Sequence, residues 1–160
     1  ATKTELGWLS SAVLIPSTIM SLFAAMIAPK MGETRAVGLG LLTTCVAIAA
    51  IPWAHTLPLL IGVRVLHGLG RGLVYPVTMG LSIKAVPQEE RASAMGIYQA
   101  VYAVGMFAGP AISGVVAQQW GLNAVFWSTA ALCLVAAIPT LVATSPRRQA
   151  RTATSLGADR

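Results

Sequence analysis

Residues Leu57 to Lys84 read LPLLIGVRVLHGLGRGLVYPVTMGLSIK, and the fold turns on how that stretch is taken. It is apolar and, as a helix rising 1.5 Å per residue, about 42 Å long, enough to cross a membrane. Its interior nevertheless carries Arg64, His67 and Arg71. Spacings of three, four and seven bring those side chains to one helical face. An arginine at mid-depth costs about 2.5–3.5 kcal/mol on insertion scales, a cost tolerable only where the face meets water, a polar partner or a ligand. The arginines therefore either brace neighbouring helices through backbone carbonyls or line a cavity. Both uses stay open, and Arg71, too deep to snorkel out, suits the cavity better. Gly68 and Gly72 flank the polar face in a G-x-x-x-G spacing that admits another backbone. Pro76 removes an N–H below Arg71, which kinks the helix and frees a carbonyl.

Composition outside this stretch points the same way. The chain is 56% hydrophobic and only 10% charged, against about 25% charged in soluble domains, and its mean hydropathy is +0.72. No Asp, Glu, Lys or Arg occurs between Ala92 and Pro146. So much uninterrupted apolar sequence indicates an all-α, polytopic membrane helix bundle. A basic isoelectric point near 10.0 would suit nucleic acid, but the positions of the charges exclude that reading. Lys30 and Arg35 share one loop, Lys84 and Arg91 another, and Arg147, Arg148, Arg151 and Arg160 lie in the tail, while Trp53–Pro58 and Gln118–Asn123 have none. This alternation follows the positive-inside rule and sets the basic loops in the cytoplasm. Multi-pass insertion in a bacterial cytoplasmic (inner) membrane is the expected location. The N-terminal ATKTE is not the basic region of a signal peptide.

Five spans are expected, at about 6–28, 36–53, 57–84, 88–117 and 123–144, followed by a basic tail at 147–160. The first has a stripe of small residues, Ser10, Ser17, Ser21 and Ala24, suited to close helix packing first and pore lining second. A tight glycine-containing loop, Pro29 to Arg35, leads to a second span that is apolar apart from Thr43 and Thr44 and is expected to face lipid. The fourth span contains Tyr98, Gln99 and Tyr102, then Gly105, Gly109 and Pro110, a pattern for a bent, tightly packing helix. Gln99 and Tyr102 serve equally well as cavity residues or as interhelical glue. Cys45 and Cys133 sit inside apolar spans without a C-x-x-C or histidine cluster, so neither a disulfide nor a metal role is expected. Trp8, Trp53, Trp120 and Trp127 would all lie near the non-cytoplasmic interface, an aromatic belt that checks the orientation.

Three motifs on consecutive spans resemble the major facilitator superfamily of secondary transporters. Arg64 to Gly70, R-V-L-H-G-L-G, resembles that family's R-x-x-q-G-x-g helix motif, with His67 at the glutamine position. Gly105 to Gly114 resembles the G-x-x-x-G-P-x-x-x-G motif of proton-coupled drug antiporters. Ala25 to Thr34 stands where the family has G-x-x-x-D-R-x-G-R-R: Gly32 matches and Lys30 stands for the first arginine. Pro29 replaces the aspartate, Ala25 the first glycine, and Glu33 and Thr34 the arginine pair; Arg35 falls one place late. The helix order corresponds to five spans of a six-helix half, and the decayed loop motif and short tail favour the C-terminal half, spans eight to twelve. The resemblance implies alternating access about a central cavity, lined here by the first, third and fourth spans, with the second and fifth facing lipid.

Proton-coupled efflux of a small solute is the function so implied, with no cofactor and no enzymatic activity. Two arginines without an intramembrane acid would also suit an anionic solute. The alternative is a non-transporting scaffold or receptor in which Arg64, His67 and Arg71 only brace helices. A membrane enzyme finds no support, since no Ser-His-Asp set, metal-ligand pattern or intramembrane carboxylate is present. His67 is the one group within the spans whose ordinary pKa, about 6.5, lies near neutrality. Five spans leave the arginine face open on one side. A missing helix, the other transporter half, membrane lipid and a small-molecule substrate are therefore the expected partners.

Overall fold

The computed structural model describes residues 3–142, and the basic tail expected at 147–160 lies outside the described residues. Five helices account for the bundle: α1 (Lys3–Met31), α2 (Glu33–Ala50), α3 (Leu57–Lys84), α4 (Arg91–Trp120) and α5 (Leu122–Val142), with short 3₁₀ turns at Ile51–Trp53 and Gln88–Glu90. No strand occurs among the described residues. All five helices are long and apolar enough to cross a membrane. The chain is an all-α, multi-pass membrane helix bundle.

The ends of the helices follow from local chemistry. Thr56, extended at φ −119°, precedes α3, and Pro58 occupies the first turn, where its missing N–H has no partner to lose. Two of the four connections are tighter than the expected loops. A single glycine, Gly32, separates α1 from α2, and a single glycine, Gly121, separates α4 from α5. These residues adopt φ 93° and φ 84°, the left-handed region that costs an L side chain about 1–2 kcal/mol. The expected loop from Pro29 to Arg35 is therefore helical on both sides of Gly32. Pro29 lies inside the last turn of α1, where its missing N–H leaves Ala25 O without a helical donor two residues before the helix ends.

Small residues set the helix pairings. A Cβ placed on Gly68 would fall on the carbonyl oxygen of Val13, and one on Gly72 on that of Ser17, so α1 and α3 run side by side in parallel. On the opposite flank of α3, a Cβ on Gly70 would meet Thr44 Oγ1 at 2.5 Å and Gly40 O at 2.7 Å, which brings α2 equally close. The three glycines of G-L-G-R-G thus serve two neighbours. Beyond α2 lies α5, antiparallel to it: Gly38 meets Thr140 and Leu141, Cys45 Sγ donates to Ala130 O at 3.3 Å, and the Trp53 and Trp127 rings meet edge-on at 5.2 Å. The innermost core, Ala24, Ala28, Ala36, Val37, Leu73 and Val77, joins α1, α2 and α3.

The second helix is a correction to the sequence reading. It is packed between α3 and α5, with Ala36, Val37, Gly38, Gly40, Ala47 and Ile48 buried. Small apolar side chains allow that approach, and an all-apolar sequence does not distinguish a lipid face from a helix face. The fourth helix buries no residue at all. It leans on α5 and, more lightly, on α3. No described atom comes within 4 Å of a Cβ placed at Gly105 or Gly109, so this chain's described helices do not make the close packing expected there. Large apolar residues remain exposed on the outer faces, Phe107 at 84% and Leu22 at 71%. In hydrocarbon such exposure carries no penalty, and helices associate through close packing and hydrogen bonds instead.

Candidate functional site

The polar face of α3 extends further than its three charged or titratable residues. Tyr75 and Thr78 follow Arg71 by four and seven positions, so helical geometry continues the stripe past Pro76. On α4, Tyr98 and Tyr102 stand one turn apart, and Gly105 and Gly109 fall on the same face another turn and two turns on. The two stripes face one another. Between them and α2 lies a cavity of about 300 Å³, lined by His67, Arg71, Tyr75, Thr78, Tyr98 and Tyr102, with Leu41, Thr44 and Val74 completing the wall.

Specific contacts order this wall. Thr78 Oγ1 lies 3.1 Å from the Tyr98 hydroxyl, and it is also within bonding range of the carbonyls of Val74 and Tyr75, at 2.8 and 3.0 Å. If the threonine proton goes to a carbonyl, the Tyr98 hydroxyl is the donor between the two side chains. One turn away, Tyr75 and Tyr102 pack with ring centroids 5.4 Å apart and planes tilted by 58°. Both pairs join α4 to α3 through side chains.

His67, Arg71 and Tyr102 meet at the cavity. Gln99 is exposed and lies outside the lining, about 100° around α4 from Tyr98. Arg64 is also outside the lining. Its Nε is buried without a hydrogen-bond partner, as is His67 Nδ1. Buried donors or acceptors left unmatched cost about 1–3 kcal/mol each, so the arginine–histidine turn of α3 carries polar groups that the described residues do not satisfy. Tyr75, Thr78, Tyr98 and Thr44 were not singled out from the sequence. Extending the helical spacing beyond Arg71 would have found the first two. Thr44 was hidden by the lipid-facing reading of α2.

The opposite treatment of charge appears at the Gly32 end. Lys84, at the last turn of α3, donates to Glu33 Oε2 at 2.6 Å, tying α3 to the start of α2. Lys30 is exposed in the last turn of α1, one residue before Met31 and the Gly32 turn. A smaller, mostly apolar void of about 180 Å³ opens beside them, between Ala24, Ala28 and Pro29 of α1 and Pro76, Val77 and Gly80 of α3.

Pro76 has a further effect on this framework. Its ring replaces the N–H that would otherwise bond Gly72 O. Ser21 Oγ of α1 lies 3.2 Å from that oxygen and 2.8 Å from its own Ser17 O, and it can donate to either. The carbonyl freed by the proline thus meets a hydroxyl from the small-residue stripe of α1.

Comparison with known proteins agrees with these helices and motifs. The chain is 26% identical to the tetracenomycin C resistance and export protein of Streptomyces glaucescens over 94% of its own length and 28% of that protein's. It is 29% identical to the quinolone resistance protein NorA of Staphylococcus aureus over 73% of its length and 30% of the relative's. With the riboflavin transporter RibZ of Clostridioides difficile it shares 25% identity, over 77% of this chain and 27% of that one. The chain thus spans less than a third of the curated relatives it matches. The family model described as Major Facilitator Superfamily matches residues 1–159, and on that match over nearly every residue the chain belongs to the Major Facilitator Superfamily.

Proposed function

We propose that this chain is part of a secondary transporter that moves a small solute across the membrane by alternating access, as proton-coupled efflux. The observation that carries the reading is the cavity of about 300 Å³ with His67 and Arg71 of α3 and Tyr102 of α4 in its wall, midway along two otherwise apolar helices. Export and resistance are named for two of the relatives, which supports efflux as the direction. In this scheme Arg71 is the principal substrate-facing or coupling charge, and His67 is its titratable neighbour. Residues 1–146 belong to a six-helix half, of which the described helices are five, taken as the C-terminal half because its loop motif around Lys30 and Gly32 is decayed. The basic Gly32 end faces the cytoplasm. A further helix and the other half complete the cavity on the side that α4 leaves open.

The test is transport by the full-length protein carrying Arg71→Ala or His67→Ala. Each variant should reach the membrane in ordinary amounts and lose most of its flux. Unchanged flux in both would overturn the assignment. Cysteines placed at Tyr75 and Thr44 separate transport from mere helix bracing. A water-accessible pathway predicts their reaction with membrane-impermeant thiol reagents, and a dry, purely structural face predicts none.

A further inference from the structure

The larger cavity carries an inference about its ligand, resting on the transport reading above. We propose that it takes an anionic solute bearing an aromatic ring, with a carboxylate or similar oxyanion paired to Arg71 and the ring against Tyr75 and Tyr102.

The lining offers one guanidinium, one imidazole, three phenols and two threonine hydroxyls, with no carboxylate among its residues. Arg71 forms no hydrogen bond or ion pair among the described residues. Lys84, by contrast, is matched by Glu33 at 2.6 Å, whereas Arg64 Nε on the same helix as Arg71 is also without a partner among the described residues. Arg71 is exposed on the open side of the bundle; at the depth in a membrane where α3 sets it, a guanidinium without a counter-charge favours any anion that reaches it, and its planar fork suits the two oxygens of a carboxylate. A second arginine, Arg64, stands two turns back on the same helix, and it adds to the positive potential.

Tyrosines alone would equally suit a cation, held over their ring faces. Arg71 decides against that here, because a cationic ligand in this wall would be repelled by the guanidinium beside it. The tyrosines then serve the apolar part. Tyr75 and Tyr102, 5.4 Å apart and inclined at 58°, form an angled aromatic surface on which a planar ring can stack or meet edge to face. The part of the cavity that these helices bound, about 300 Å³, already falls within the range of ligand sites, so a solute of one or two rings has room.

Naphthoate, its methyl ester and naphthylmethylammonium share one ring system and differ in charge, so they isolate the effect. Their equilibrium binding to the full-length protein in nanodiscs should follow the order naphthoate, ester, ammonium, with the anion ahead of the ester by about tenfold or more. In Arg71→Ala that lead should vanish while the ester stays within about threefold of its original affinity. Arg71→Lys should keep part of the lead, as a point charge without the fork. The wild-type order needs no variant and can refute the inference by itself. Preference for the ammonium would mean that a carboxylate elsewhere in the full-length protein neutralises Arg71, and it would overturn the inference. Absence of binding by all three probes, or an anion lead unchanged in Arg71→Ala, would overturn it as well. Flux into proteoliposomes separates this from the transport reading. The predicted binding order without flux of any solute leaves the anion site standing and removes transport. Flux with a preference for the ammonium does the reverse.

Discussion

At the scale of single residues, the contact with the clearest physical cause joins Pro76, Gly72 and Ser21. Proline leaves Gly72 O without its helical donor, and an unmatched carbonyl in a membrane interior has no water to turn to. Ser21 Oγ, at 3.2 Å, is the donor within reach. Ser21→Ala should therefore destabilise the full-length protein by about 1 kcal/mol, the ordinary net worth of such a bond. The loss should shrink in a Pro76→Ala background, where the helix supplies its own N–H. A double-mutant cycle on thermal unfolding in detergent checks this, and equal losses in both backgrounds would refute it. Residue-level chemistry was legible in part. That Pro76 frees a carbonyl follows from the covalent structure of proline, and the serine stripe of α1 follows from spacing. That one answers the other depends on the parallel packing of helices 51 residues apart in sequence, which no local pattern encodes.

At the scale of helices, α3 runs from Leu57 to Lys84, the same bounds that its apolar stretch and flanking signals predict. Polar residues on an apolar helix report which side is which, so the polar face of α3 could be read from Arg64, His67 and Arg71, of which His67 and Arg71 line the cavity. The second helix offers no such contrast. Its glycines and alanines are apolar on every side, and burial against α3 and α5 leaves the same trace as exposure to lipid. Glycine packing also yields a ranking. A side chain at Gly70 would press on the backbone carbonyl of Gly40 at 2.7 Å, whereas one at Gly38 would press mainly on the end of Leu141 at 2.7–2.8 Å. A backbone cannot give way as a leucine side chain can. Gly70→Ala should cost about 1–3 kcal/mol, within the usual range for overpacking, and Gly38→Ala should cost clearly less. Melting temperatures of the two variants test the order, and equal values would contradict the packing described.

At the scale of the whole molecule, successive helices run in opposite senses, so Trp8, Trp53, Trp120 and Trp127 gather at one end and Lys30, Arg35, Lys84 and Arg91 at the other. The contact of Trp53 with Trp127 and the ion pair of Lys84 with Glu33 mark the two ends. Tryptophan favours a membrane interface, and basic residues favour the cytoplasmic one. A cysteine at Gln118 should then react with an impermeant thiol reagent on intact cells, and one at Arg91 only after permeabilisation. The reverse pattern would invert the topology. The all-α membrane architecture was legible because apolar length and charge alternation are properties of composition. The looseness of α4 was not. Its glycines promised contacts, but a glycine permits an approach without requiring one.

The single-glycine turns at Gly32 and Gly121 have a mechanical consequence. A connection of one residue has no slack, so α1 with α2, and α4 with α5, behave as two stiff forks. The six residues on either side of α3, 51–56 and 85–90, are the longer straps. A helix of 30 residues such as α4 is about 45 Å long, well beyond hydrocarbon about 30 Å thick. A fork cannot shorten one prong against the other, so each must answer a change in bilayer thickness by tilting as a unit. Because α3 is packed closely on α1 and α2 and only lightly on α4, differential motion falls to the strap at 85–90 and opens or closes the α4 side of the helix that holds Arg71.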